Sequence, residues 1–404
     1  LKRLASPLPR KPPPWRQMRP TWLAVTAGAA TLSSSASASS HGSFHWKARF
    51  LDDYPLALCN DGSASAYYYR KGPSESREWT VFLEGGAWCW DVASCAAGGS
   101  SVGFPSSAED VDAWAEGLQG LLSRHSPLAH THFAFVRSCS ADAFMGDAGP
   151  SPGLVMHFRG RRILEAVFAD LRQREGLGDQ WLDRVLFSGC GSGARGAMLS
   201  MDHVATHWVG KADLIGLLDS PLWIPVQPWR AGLPSLEEQT KKVLDVANVT
   251  QFLDRTCLQQ FPGALRWRCM FGAYLLPFVT SPFLLVQSQY DSFGILSGLD
   301  LRYSGVRWLN STELVYAEAY RKALVANLPR EFRGDSAVFS SACYVHCTFQ
   351  SEQVFALRAG GVSLPELLER WLVSPSSVRG AWFRDDCTGF NCGLVAGGDR
   401  AIVT

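Results

Sequence analysis

The sequence predicts an α/β fold with a mostly parallel central sheet flanked by helices, and two observations carry that reading. Short, nearly continuous apolar runs rich in β-formers recur along the chain: Thr80–Leu83, Phe133–Val136, Val185–Phe187, Leu214–Leu218 and Phe283–Val286. A run apolar at successive positions suits a strand buried on both faces, which is the habit of parallel sheets. Between the runs lie helical periodicities. In Phe158–Arg174, Ile163, Leu164, Val167, Phe168 and Leu171 fall on one face, and a second helix starts near Ala194 and runs past Val204. Strands alternating with helices indicate a parallel sheet. Ligand sites in such sheets lie at the carboxyl ends of the strands, so the segments that follow the apolar runs are where chemistry is expected.

The 404 residues, 47% hydrophobic and 19% charged, have a globular composition and enough length for one large core. Residues 1–42 carry six cations and no acid. The remainder holds 32 basic against 37 acidic residues, a net charge of −5, which does not describe a nucleic-acid surface. Within residues 1–42 a basic, Pro-rich stretch precedes an apolar run, Trp22–Leu32, and a small-residue tract containing Ala36-Ser37-Ala38. That order matches a secretory leader with a cleavage site, and the apolar run is too short to span a bilayer. No repeat or linker follows residue 42, so 43–404 reads as a single domain.

Eleven cysteines and two glycosylation sequons, at Asn248 and Asn310, agree with an oxidising, secretory compartment. No C-x-x-C pair with matching histidines is present, so disulfides rather than zinc are expected, with at least one thiol left over. His203 and His207, four apart on a helix, lack an evident third ligand and read as a helix face. Neither a metal nor a cofactor is implied.

Four segments carry candidate chemistry. Leu83-Glu84-Gly85-Gly86-Ala87-Trp88-Cys89 follows a strand, and paired glycines there expose backbone N–H groups of the kind that stabilise an oxyanion. Ser188-Gly189-Cys190-Gly191-Ser192-Gly193-Ala194 lies between a strand and a helix, where a sharp turn with small neighbours presents a nucleophile. The pattern is approximate, since a strict G-x-S-x-G around Ser192 needs glycine where Cys190 and Ala194 stand. Asp291 follows another strand and could either orient a histidine or cap a helix. His346 lies in Cys343-Tyr344-Val345-His346-Cys347, whose flanking cysteines could clamp it as a general base. Ser192, Asp291 and His346 stand in the chain order of an α/β-hydrolase. Asp219-Ser220 ends a further strand and could line the cleft or cap a turn. Trp88 and Trp90 could stack on a sugar, but core packing is the reading preferred for both.

Together these segments resemble the pectin acetylesterase/Notum family. Leu58–Ser63 resembles its opening cysteine segment and Leu83–Cys89 its L-E-G-G-x-W-C loop. Cys139 with Phe144–Asp147 resembles its C-D-G-x-S-F-x-G-D segment, with Ser140 and Ala141 in place of Asp-Gly. His157–Arg162 resembles H-F-R-G-x-R, Ser188–Cys190 the approach to its S-G-C-S-A-G-G turn, and Cys343–Cys347 its C-Y-x-H-C motif. The similarity is closer to the plant-type members. The resemblance implies an α/β-hydrolase-like fold and a Ser-His-Asp esterase acting on an acetylated polysaccharide or an acylated protein. It departs at one position. Aligned without a gap, the family serine falls on Gly191, and the family's Ser-Ala reads Gly-Ser. Cys190 matches a cysteine of the plant-type members and is not read as a substitute nucleophile.

The resulting expectation is a carboxylic ester hydrolase in which Ser192 attacks, His346 is the base and Asp291 orients it. Gly86, Ala87 and Gly193 would hold the oxyanion. The alternative is a family member that has lost its nucleophile and binds a glycan or acyl group without chemistry.

Overall fold

The computed structural model describes residues 45–86, 88–98, 108–301 and 309–393. The expected leader, 1–42, lies outside them. Among the described residues nine strands form the main sheet: β1 (Trp46–Phe50), β2 (Ala66–Arg70), β3 (Glu78–Leu83), β4 (His132–Val136), β5 (Arg184–Cys190), β6 (Asp213–Asp219), β7 (Phe283–Val286), β9 (Ala337–Ser340) and β13 (Trp382–Arg384), while β8 (Tyr290–Asp291) pairs with β10 (Tyr344–Val345) and β11 (Arg358–Ala359) with β12 (Val362–Ser363) outside it. The order in the main sheet is β1-β2-β4-β3-β5-β6-β7-β9-β13. Both pairings of β2, to β1 and to β4, are antiparallel, and the seven strands from β4 to β13 run parallel. All five apolar runs read from the sequence lie in this parallel part.

The strands are apolar at successive positions because each face meets its own core. Val81, Leu83, Val185, Phe187, Leu214, Leu218, Phe283 and Leu285 point into one cluster, with helices Gly160–Glu175 and Ser192–His207 laid over it. Phe82, Phe133, Phe135, Leu186, Ile215, Leu217, Leu284 and Val286 point into the other, covered by Leu367, Leu368 and Trp371 of helix Leu364–Val373. The first helix starts two residues later than the periodicity suggests. Its first amide, Gly160 N–H, donates to Asp142 Oδ2 at 2.9 Å, while the preceding Arg159 offers no side-chain cap. The second starts at Ser192, two residues before Ala194, because the turn lies at Gly191.

Asp142 holds more than that helix. It is fully buried and also accepts from Ser140 Oγ, Phe144 N and Gly146 N. The loop it organises contains Ala141, Ala143 and Phe144, three non-glycine residues at φ between 51° and 59°. Such a run persists only when its surroundings fix it.

Five disulfides join Cys59–Cys139, Cys89–Cys95, Cys190–Cys347, Cys257–Cys269 and Cys387–Cys392. The leftover thiol is Cys343, which burial pushes up to about 11. Asn248 and Asn310 of the sequons are both exposed. No described helix is long and apolar enough to cross a membrane.

Asp142→Ala strands three buried backbone donors, each worth about 1–3 kcal/mol when left unpaired. We expect it to lower unfolding free energy in urea by about 3 kcal/mol or more; a loss below about 1 kcal/mol would show that the loop holds itself.

Candidate active site

Four strand ends converge on one place, as a parallel sheet requires. After β5 the chain turns at Gly191, φ 53° and ψ −114°, and enters helix Ser192–His207. Gly191 N donates to Asp219 O of the adjacent strand at 2.9 Å, and Gly191 O accepts from Arg195 N at 2.9 Å. Only glycine holds this backbone without strain. Gly193 is required for a different reason. A Cβ there would meet Leu83 O at 2.1 Å, so the helix start presses against the strand that feeds the Gly85-Gly86 loop.

A Cβ at Gly191 would lie 2.7 Å from His346 Nε2 and 3.5 Å from Cys347 Sγ. Gly191 is therefore the elbow position that faces the imidazole. Ser192, one residue on, is turned about 100° around the helix axis. Its Oγ accepts from Gly86 N–H at 2.8 Å and donates to Gly86 O at 3.3 Å. The expected hydrogen bond from Ser192 to His346 is not among those of the described residues. Ser192 thus stands at the turn, with its hydroxyl on the side of Gly86 and not of the imidazole. The hydroxyl occupies the Gly86 N–H, which was expected to hold an oxyanion. Ala87, the second expected donor, lies outside the described residues.

Asp291 and His346 come together through a short parallel pairing beyond the main sheet. β8 (Tyr290–Asp291) runs beside β10 (Tyr344–Val345), with Val345 opposite Asp291. The next residue, His346, places Nδ1 2.7 Å from Asp291 Oδ2. Asp291 also caps a helix, because its Oδ1 accepts from Gly294 N at 2.9 Å at the start of helix Ser292–Leu299. Gln287 Nε2 also donates to Oδ2 at 3.1 Å. The clamp on the histidine differs from the one expected. Cys347 is tied to Cys190, directly before the elbow, while Cys343 stays free.

Two further carboxylates anchor the site: Asp219, read from the sequence as lining the cleft or capping a turn, and Glu84, for which the sequence suggested no separate role. Asp219 is fully buried, accepts from Phe349 N at 2.7 Å and Thr348 Oγ1 at 3.2 Å, and so fixes the segment after His346. Burial pushes its carboxyl up to about 6 despite these donors. Glu84 accepts from Arg137 Nε at 2.8 Å and Ser138 N at 2.9 Å, which pins the start of the Gly85-Gly86 loop, and burial raises its pKa as well. Each lies at the end of a predicted strand, which was the one available signal. Trp88 and Trp90 pack against the core while half-buried, and Trp88 donates its indole N–H to Gln239 Oε1 at 3.1 Å. His203 accepts from Trp208 Nε1 at 3.1 Å, and His207 Nδ1 lies 3.0 Å from His203 O.

Burial opposes protonation of His346. The charge and hydrogen bond of Asp291, with the charge of Asp219 behind it, outweigh burial and raise the pKa above 6.5. A proton held more tightly by the folded chain stabilises it. That increment is complete below pH 6.5 and disappears as pH rises through the folded-state value. Between about pH 6 and about pH 9 we expect the wild type to lose more stability than His346→Gln, compared by thermal melts. Parallel curves would exclude the coupling.

Comparison with known proteins gives a consistent result. The family model described as pectinacetylesterase matches residues 40–381. Pectin acetylesterase 11 of Arabidopsis thaliana is 24% identical over 355 residues, covering 83% of this chain and 88% of that protein. The palmitoleoyl-protein carboxylesterase notum2 of Xenopus laevis is 26% identical over 342 residues, covering 80% and 67%. The solved structure of the Wnt deacylase Notum from Drosophila superposes with a TM-score of 0.73 at 24% identity, covering 86% of this chain and 98% of that one. That superposition establishes a Notum-like, α/β-hydrolase-like fold.

Proposed function

This chain belongs to the pectinacetylesterase family, a family of esterases and deacylases, and from that premise we propose that it binds acylated ligands in the family cleft without the serine-acylation step. One observation carries the reading: the elbow residue that faces His346 is Gly191, which has no side chain to acylate. The position of Ser192 supports it further. A hydroxyl that fills the Gly86 N–H competes with the substrate oxygen that this donor would stabilise, and one oxyanion donor is typically worth about 3 kcal/mol of transition-state stabilisation. The ligand class, an acetylated polysaccharide or an acylated protein, is carried over from the names of the relatives. Secretion is part of the proposal and is supported by the five disulfides and the two exposed sequons.

A second reading is favoured by the assembled Asp291–His346 pair, which binding alone does not need. In it Ser192 leaves Gly86, rotates toward His346 and attacks the ester carbonyl. His346 takes the proton and returns it to the leaving alcohol, Asp291 orients the ring, and Gly86, Ala87 and Gly193 supply oxyanion donors. The move is large for a tight turn, and misplacement by about 1 Å costs on the order of 100-fold in rate.

The two readings separate experimentally. We expect no fluorophosphonate adduct on the wild type and no change in p-nitrophenyl acetate turnover in Ser192→Ala. Gly191→Ser combined with Ser192→Ala rebuilds the serine opposite His346 and frees Gly86 N–H. It should gain labelling and raise turnover by about 100-fold or more, provided the imidazole yields a few tenths of an ångström to the new Cβ. An adduct mapped to Ser192 in the wild type, abolished in Ser192→Ala, would overturn the first reading in favour of the second.

A further inference from the structure

A guanidinium in the protein interior is unfavourable unless an acid answers it. Arg195 lies in the first turn of the helix that follows Gly191 and is 0% exposed. Among the described residues its hydrogen bonds go to neutral acceptors, from Nε to Met270 O at 3.1 Å and from Nη2 to Thr240 Oγ1 at 3.2 Å. Aromatic faces surround the cation instead of a carboxylate. Its Cζ lies 3.8 Å from the ring centre of Trp223, 5.0 Å from Trp88 and 5.3 Å from Phe271. Such contacts lower the penalty of burial without neutralising the charge.

A second observation points the same way. Arg195 Nη1 and the indole Nε1 of Trp223 are both buried, and neither has an acceptor. Buried donors are nearly always paired, and here two unpaired ones belong to groups stacked on each other. Their place is next to the candidate site. Trp223 stacks on Phe293 at 5.5 Å, and Phe293 lies 5.4 Å from the His346 ring. Trp88 and Phe293 are half-buried, so this aromatic wall is partly exposed to solvent.

We propose that Arg195 and Trp223 form the floor of an anionic subsite that takes a carboxylate on the ligand, one oxygen accepting from Arg195 Nη1 and the other from Trp223 Nε1. A planar carboxylate suits this site because it has two oxygens for two donors and one negative charge for one unanswered cation. A neutral ester or amide could fill the donors but would leave the charge. Nη1 has no solvent access; of the three rings around the guanidinium Trp88 is the half-buried one, and in the proposed subsite the ligand enters past it. The inference rests on the reading of the cleft as a ligand site and adds the charge of what it takes.

The test is isothermal titration of the wild type with hexanoate against hexanamide, and with glucuronate against glucuronamide. None of these is an ester, so turnover cannot affect the result. We expect the acid of at least one pair to bind about tenfold or more tighter than its amide. A preference confined to hexanoate places the carboxylate on an acyl chain, and one confined to glucuronate places it on a sugar. The preference should vanish in Arg195→Met, which fills similar volume without charge. It should weaken in Trp223→Phe, which keeps the stacked ring and loses the N–H. If Arg195→Met does not fold, Trp223→Phe decides. Equal binding of acid and amide by the wild type, or a preference that survives these variants, overturns the proposal. A fluorophosphonate adduct on Ser192 would defeat the non-acylating reading and leave a measured carboxylate preference standing, so the two fail separately.

Discussion

The site depends on a single backbone constraint, the positive-φ turn at Gly191 where β5 passes into the helix at Ser192. A turn this sharp is needed to send the chain from the end of a buried strand into a helix laid across the same sheet face. It is held at both ends by backbone bonds, to Asp219 O and from Arg195 N. A non-glycine residue in such a conformation costs about 1–3 kcal/mol, a strain that enzymes accept at an elbow when a nucleophile stands there. This chain places glycine at the position and so relieves the strain. The side chain that would use the geometry is missing, and the hydroxyl beside it is carried to Gly86 by the helix twist.

The histidine side is fixed in three separate ways. The β8–β10 pairing sets Asp291 beside His346, the Cys190–Cys347 bridge ties the histidine loop to the elbow, and Asp219 holds the residues that follow. Asp219 links both halves, its carbonyl accepting from the elbow and its carboxylate from the histidine segment. Two carboxylates near one imidazole outweigh its burial and raise its affinity for a proton.

Three buried charges show three degrees of compensation. Asp142 has four donors and organises a loop that could not otherwise keep its backbone angles. Asp219 has three and anchors a functional segment. Arg195 has two neutral acceptors, three aromatic faces and one donor atom with nothing opposite it. The burial of an ion costs several kcal/mol, and a cation–π contact returns about 2 kcal/mol at best. Arg195 is therefore the most weakly compensated of the three, and it stands beside the cleft.

The scaffold was legible in the sequence. Each of the five apolar runs became a strand of the parallel sheet because burial on both faces leaves a local, readable signature. Ile163 to Leu171 lined a helix for the same reason. The positions of Gly86, Ser192, Asp291 and His346 at strand ends were also legible, since topology sends every such segment to one edge. The sequence could not say which way Ser192 points. That depends on a φ of 53° at the preceding residue and on a glycine loop over a hundred residues upstream, neither of which leaves a periodic trace. Nor could it pair Cys347 with Cys190 rather than with Cys343, or place Arg195 against Trp88 and Trp223. Periodicity records what each residue buries; only the tertiary structure decides what a polar group meets when it gets there, because that partner comes from a distant part of the chain.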